Sequence, residues 1–197
     1  MLSEPDLIGD CSKAFCLPTV SGKHQDLRSI TPETLRNLMA DEFSDVVEEF
    51  HIVDCRYPYE YEGGHIRNAM NIYTREEVVE KYLKVPLSSK DPNKRIILVF
   101  HCEFSSERGP GLFRFLRQQD REANKDFYPY LHYPEIYLLD GGYKSFYERF
   151  SHLCEPRTYK TMFDKNHSED LRKFRAKSKS WLDEKVQIRS GVRNLKF

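Results

Sequence analysis

The chain has 197 residues, 39% hydrophobic and 31% charged, which is enough for one ordinary domain with its own core and short for two. No apolar run approaches the ~18 residues that cross a bilayer, and there is no basic, then apolar leader, so the expectation is an intracellular protein without a membrane partner. The formal charge is zero but split: from Arg157 onward 12 basic residues meet 5 acidic ones, which makes an acidic body and a basic tail.

Taken in order, residues 1–26 are polar and punctuated by Pro5, Pro18 and Gly22, and read as an N-terminal arm wrapping a core over residues 27–156. Thr31-Pro32-Glu33 opens a helix, with threonine as N-cap and proline at the first helical position; Leu35, Leu38 and Met39 form its buried stripe. Phe50 to Asp54 is a core strand ending at Cys55-Arg56, and Tyr57 to Gly64 is a loop or short helix broken by paired glycines. Ala69 to Ile72 is a short strand, Glu76 to Leu83 a helix, and Pro86 to Asn93 a connector. Ile96 to Phe100, wholly apolar and bounded by Lys94-Arg95, has the look of a buried parallel strand. A helix follows from Gly109-Pro110, and then come a strand over Ile136 to Leu139, a Gly141-Gly142 turn and a helix from Tyr143 to Phe150. Alternating strands and helices predict an α/β domain with a mainly parallel central sheet and helices on both faces. Residues 157–197 form the basic tail, in which Glu169 to Trp181 reads as an amphipathic helix carrying Arg172, Lys173, Arg175, Lys177 and Lys179; the rest has no pattern.

The chemistry concentrates in His101-Cys102-Glu103-Phe104-Ser105-Ser106-Glu107-Arg108, between the apolar strand and the helix. A helix N-terminus there directs unpaired N–H groups at the C-terminal end of a strand, a place that binds anions. Those N–H groups, the helix dipole and the Arg108 guanidinium favour a thiolate at Cys102, hence a nucleophile. The backbone N–H groups of Glu103, Phe104, Ser105, Ser106, Glu107 and Arg108 can hold the equatorial oxygens of a phosphoryl group, with Arg108 as a planar fork. Nucleophile and cradle in one loop predict a cysteine-dependent phosphatase with no cofactor. Glu103 and Glu107 are the available carboxylates for a general acid, with loop shaping as the competing role. The five cysteines, Cys11, Cys16, Cys55, Cys102 and Cys154, are odd in number and make no C-x-x-C pair, so neither a disulfide scaffold nor a metal site is expected.

HCEFSSERGP resembles the active-site loop of the M-phase inducer phosphatases, dual-specificity enzymes with a rhodanese-like fold. DCRYPYEYEGGHI (Asp54 to Ile66) and YPEIYLLDGGYKSFY (Tyr133 to Tyr147) are similar to the two signatures of rhodanese-like domains, and the resemblance runs from about Leu7 to Trp181. It implies removal of inhibitory threonine and tyrosine phosphates from a cyclin-dependent kinase bound to its cyclin, by a monomer of nucleus and cytoplasm that binds no nucleic acid. It also implies that Cys55 can form a reversible disulfide with Cys102; a buried structural cysteine is the alternative. The family's remote docking of kinase substrates raises the same role for Arg117 and Arg121, four apart on the helix, and for Tyr128; a solvated face competes. Two departures stand out: Asn68 replaces the usual glycine at a turn, and Gly111 stands where the family carries a basic residue. The other functions weighed are a sulfurtransferase, whose active loop is usually six residues where Cys102 to Arg108 spans seven, an arsenate reductase, and a non-catalytic phosphoprotein-binding module.

Overall fold

The apolar runs of the sequence become neighbouring strands of one sheet in the computed structural model, which describes residues 6–177. In chain order the first half contains β1 (Ser29–Ile30), α1 (Pro32–Met39), β2 (Val47–Asp54), α2 (Pro58–Glu62), β3 (His65–Ile66), β4 (Met70–Asn71) and α3 (Arg75–Val78). The second half adds β5 (Arg95–His101), α4 (Arg108–Ala123), β6 (Ile136–Leu139), α5 (Gly142–Phe150) and β7 (Cys154–Glu155). The sheet order is β1-β6-β5-β2-β4, and every pairing in it is parallel. β3 and β7 make a separate antiparallel pair.

The two-residue period of a strand sorts the core. Ile97 and Val99 of β5 pack into one apolar cluster with Leu35 and Leu38 of α1 and Phe146 of α5. Leu98 and Phe100 face the other way, into a cluster with Leu112, Phe113 and Leu116 of α4. Burial on both faces explains why β5 and β6 read as unbroken apolar runs.

Local signals set the helix starts. The Thr31 hydroxyl accepts from the Thr34 N–H at 3.1 Å, and Pro32 occupies the first helical turn. Thr74 and Glu77 form a reciprocal capping box, so the helix expected from Glu76 begins at Arg75, then widens into a π-helical turn over Val79–Leu83. Asn68 does adopt a left-handed turn, at φ 64.

The chain divides at Lys160, with a second unit beginning at Thr161. In that unit Lys165–His167 is a short 3₁₀ turn, residues 168–177 are helical, and the Arg175 guanidinium lies 5.2 Å over the Phe163 ring. Lys179, Trp181 and the patternless stretch from Asp183 lie outside the described residues.

Candidate active site

The loop after β5 is shaped by what holds its carbonyls. The Cys102 carbonyl accepts the Tyr143 N–H at 2.9 Å and the Glu103 carbonyl accepts the Lys144 N–H at 3.0 Å, both from the first turn of α5. That contact needs glycine at position 142: its φ is +62, and a Cβ there would lie 2.5 Å from the Cys102 oxygen and 2.6 Å from the Glu103 oxygen. Further along, the Ser106 carbonyl lies 3.0 Å from His24 Nε2, and the Glu107 carbonyl accepts the Gly111 N–H at 2.8 Å inside α4. Ser105 turns the chain in the left-handed region, at φ 51. With carbonyls engaged outward, the N–H groups of Phe104, Ser105, Ser106 and Glu107 have no hydrogen-bond partner among the described residues. Such a row of N–H groups beside a helix N-terminus fits an oxyanion.

Arg108 is held before any ligand arrives. Its Nη2 donates to Glu60 Oε1 at 3.0 Å, and its Nη1 donates to Glu60 Oε2. The Tyr57 ring lies 4.8 Å from the guanidinium, and Glu103 Oε2 stands 4.0 Å from Nη2. A carboxylate gripping both Nη atoms occupies the end of the fork and leaves the side with Nε–H and the outer Nη2 hydrogen for two phosphoryl oxygens. Burial works against the charge of Arg108, and the Glu60 hydrogen bonds and charge more than offset it. Glu60 is itself buried, which pushes its carboxyl up against the pull of Arg108. Sequence reasoning missed Glu60. The available signal was Tyr57-Pro58-Tyr59-Glu60, a proline-started helix whose third residue accepts the Tyr57 N–H at 3.0 Å.

Beneath the loop lies a buried polar layer. Arg56 Nη2 donates to Asp54 Oδ2 at 2.6 Å and to the Gly64 carbonyl at 2.8 Å, and its guanidinium sits 3.8 Å over the Tyr143 ring. Burial pushes the Asp54 carboxyl up, but Arg56 and His101 overrule it and bring it to about 2. His101 is also fully buried, with Nδ1 3.2 Å from the Cys102 carbonyl and Nε2 3.8 Å from Asp54. Burial outweighs Asp54 and holds the imidazole below its ordinary value, hence neutral, with Nδ1–H donating to the loop.

Cys102 itself is buried at the base of the loop, and Cys55 follows β2 on the adjacent parallel strand. Asp54 pairs with His101 in register, the Cys55 N–H donates to the His101 carbonyl at 2.8 Å, and both cysteine side chains belong to the same core cluster. Neighbouring strands lie roughly 4.8 Å apart, within the Cα range of about 4.4–6.8 Å that a disulfide spans. Both thiols are free. Burial, then Cys102 and Asp54, push the Cys55 thiol well above its ordinary value, so it is a protonated thiol at neutral pH.

The two loop carboxylates part company. Glu103 is buried and accepts the Tyr159 hydroxyl at 2.6 Å, whereas Glu107 is exposed at the N-cap of α4. Of the residues expected to form a docking face, Arg117 is tied down within the fold. Its Nη1 donates to the Tyr133 carbonyl at 2.6 Å and its Nη2 to the Pro134 carbonyl at 3.0 Å, and burial brings it down to about 10, so it ties α4 to the chain before β6 and does not stand free. Arg121 remains exposed, donating to the Gly9 carbonyl at 2.8 Å and lying 5.9 Å over the ring of Tyr128, itself 76% exposed.

Against known proteins, the rhodanese-like domain family matches residues 31–149. The chain belongs to this family. It is also 54% identical over 186 residues to the M-phase inducer phosphatase of Drosophila melanogaster, covering 91% of this chain and 39% of that one. With M-phase inducer phosphatase 1 of Homo sapiens the identity is 52% over 180 residues, covering 91% of this chain and 34% of that one. The chain therefore spans between a third and two-fifths of these relatives. A solved As-Sb reductase from Leishmania major is 25% identical with a TM-score of 0.48, over 64% of this chain and 83% of that one. The matched rhodanese-like domain contains β2, α2, β5, the loop, α4 and all of α5 but its last residue, hence Cys55, Glu60, Cys102 and Arg108. His24 and Tyr159, which also touch the loop, lie outside it.

Proposed function

We propose that this rhodanese-like domain is a cysteine-dependent, dual-specificity protein phosphatase acting on inhibitory threonine and tyrosine phosphates of a cyclin-dependent kinase in complex with its cyclin. It does so as a monomer, in nucleus and cytoplasm. The observation that carries the reading is one loop in which Cys102, a row of unpaired N–H groups and the free edge of Arg108 converge. Similarity to the M-phase inducer phosphatases over nine-tenths of the chain supports the choice of kinase substrate.

In the reaction the Cys102 sulfur attacks phosphorus in line, an S–P bond forms, and the P–O bond to the threonine or tyrosine oxygen breaks. The cradle and Arg108 hold the three equatorial oxygens, where charge stabilisation does most of the work. Glu107, exposed and with a carboxylate that has no hydrogen-bond or ion-pair partner among the described residues, is the loop group able to pass a proton to the leaving oxygen. Glu103, held by Tyr159, braces the loop instead. Water then attacks the phosphocysteine, the S–P bond breaks, and phosphate leaves with Cys102 restored. Under peroxide, Cys102 is oxidised to the sulfenic acid, and the Cys55 thiol condenses with it, releasing water and forming a disulfide that thiols reverse.

The test sets phosphate release from a doubly phosphorylated kinase against transfer of sulfur from thiosulfate to cyanide. Phosphate release with no sulfur transfer is the expected result; sulfur transfer without phosphate release would overturn the reading.

A further inference from the structure

A peptide unit that turns its N–H inward turns its carbonyl outward, and four carbonyls of this loop are held in that way. α5 holds those of Cys102 and Glu103, and α4 holds that of Glu107 through its own ladder. The carbonyl of Ser106, in the middle of the cradle, is met by a side chain from the N-terminal arm: His24 Nε2, at 3.0 Å. The other ring nitrogen, Nδ1, lies 3.2 Å from Arg114 Nη2 of α4.

These two contacts determine the tautomer. A guanidinium has only donors, so Nδ1 facing it accepts, and the ring proton sits on Nε2, facing a carbonyl that only accepts. Arg114 is in turn oriented by a bidentate pair with Asp26, at 2.7 Å on both oxygens. The turn that presents His24 is closed by the Leu27 N–H to the His24 carbonyl at 3.1 Å. Leu27 is buried in the same cluster as Cys102 and Leu112, which pins the turn against α4. The arm thus reaches the loop through a chain of Asp26, Arg114, His24 and the Ser106 carbonyl, in which Asp26 and His24 lie outside the span that the rhodanese-like family matches.

We infer that His24 is a positioning residue for the oxyanion cradle: by holding the Ser106 carbonyl outward it keeps the N–H of the same planar peptide unit, that of Glu107, aimed inward. This rests on the phosphatase reading for its effect on turnover, but its effect on anion binding does not. The N-terminal arm is accordingly part of the anion site and more than a surface wrapping.

Two amide substitutions of similar size separate the ring's two contacts. His24→Gln sets an N–H donor where Nε2 was and keeps the reach to Ser106. His24→Asn sets its polar group where Nδ1 was, keeps the reach to Arg114 and falls short of the loop. With the full chain, inorganic phosphate affinity by calorimetry and kcat and KM on a small aryl phosphate are measured for both, along with melting temperature. The expected result is near-wild-type behaviour for His24→Gln. For His24→Asn, phosphate affinity and kcat both fall about tenfold, the equivalent of about 1.4 kcal/mol. Equal behaviour of the two variants, whether both intact or both impaired, overturns the proposal, as does a wild-type chain that binds no phosphate. A wild-type chain that binds phosphate but hydrolyses no aryl phosphate would defeat the phosphatase reading, while a Gln–Asn difference in phosphate affinity would still uphold the clamp.

Discussion

At the scale of single residues, Arg108 is placed by Glu60 as much as by the loop that carries it. Lysine at position 108 would offer a point charge that cannot grip both Glu60 oxygens and two phosphoryl oxygens at once. Glu60→Gln exchanges one acceptor for a donor facing a donor, inside a pair whose carboxylate is fully buried. Breaking such a pair costs roughly 3–5 kcal/mol of stability. Steady-state kinetics on an aryl phosphate should show kcat/KM lower by about tenfold or more for Glu60→Gln, with a lower melting temperature; unchanged kinetics would mean that Arg108 positions itself. Cys55 invites a second test. Its burial next to Cys102 places it to resolve an oxidised Cys102, and its protonated state keeps it from competing with Cys102 as the nucleophile. After mild peroxide, mass spectrometry should find a Cys55–Cys102 disulfide that thiols reverse, and Cys55→Ser should pass on to irreversible oxidation; absence of the linkage would leave Cys55 a core residue.

At the scale of elements, the active loop is suspended between the ends of β5, α4 and α5, and two glycines distinguish positions where a methyl group is forbidden from those where it is welcome. Gly142→Ala would drive a Cβ into the Cys102 and Glu103 carbonyls at a positive φ, and should cost on the order of 1–3 kcal/mol together with activity. Gly111, exposed within α4, has nothing within 4 Å of a built Cβ, so Gly111→Ala should stabilise by roughly 0.5–1 kcal/mol with kinetics intact. Denaturant titration of both variants checks the opposite signs. The same elements show what the sequence could disclose. β5 and β6 were legible because burial on both faces makes a strand an apolar run, and Cys102 and Arg108 were legible because such a strand led into them. β1, β3 and β7 are two residues each, too short for any periodicity to register. Glu60 and His24 escaped because their partners lie 48 and 82 residues away, brought close only by the sheet order and the docked arm. The bonding of Arg117 escaped for a related reason: helical spacing put it on one face with Arg121, but the carbonyls that claim it belong to the chain just before β6.

At the scale of the whole molecule, the proposed docking residues lie away from the phosphate loop. Phe127, Tyr128 and Tyr130 are 72%, 76% and 52% exposed, beside Arg121 at the far end of α4 from the phosphate loop. Arg121→Ala should lower kcat/KM on a phosphorylated cyclin-dependent kinase by roughly tenfold, while small aryl phosphates are turned over as before. Arg117→Ala should instead lower the melting temperature, since it frees two carbonyls that the guanidinium now satisfies. Equal losses on both substrates for Arg121→Ala would point to a disturbed loop in place of a docking surface. The central claim, that Cys102 is the nucleophile of a phosphoryl transfer, is tested most directly by rapid acid quenching during turnover of a phosphate monoester, followed by mass spectrometry of the Cys102 peptide. The account predicts a phosphoryl group on Cys102 in the wild-type chain, and neither label nor turnover in Cys102→Ser. Sustained phosphate release by Cys102→Ser would contradict it.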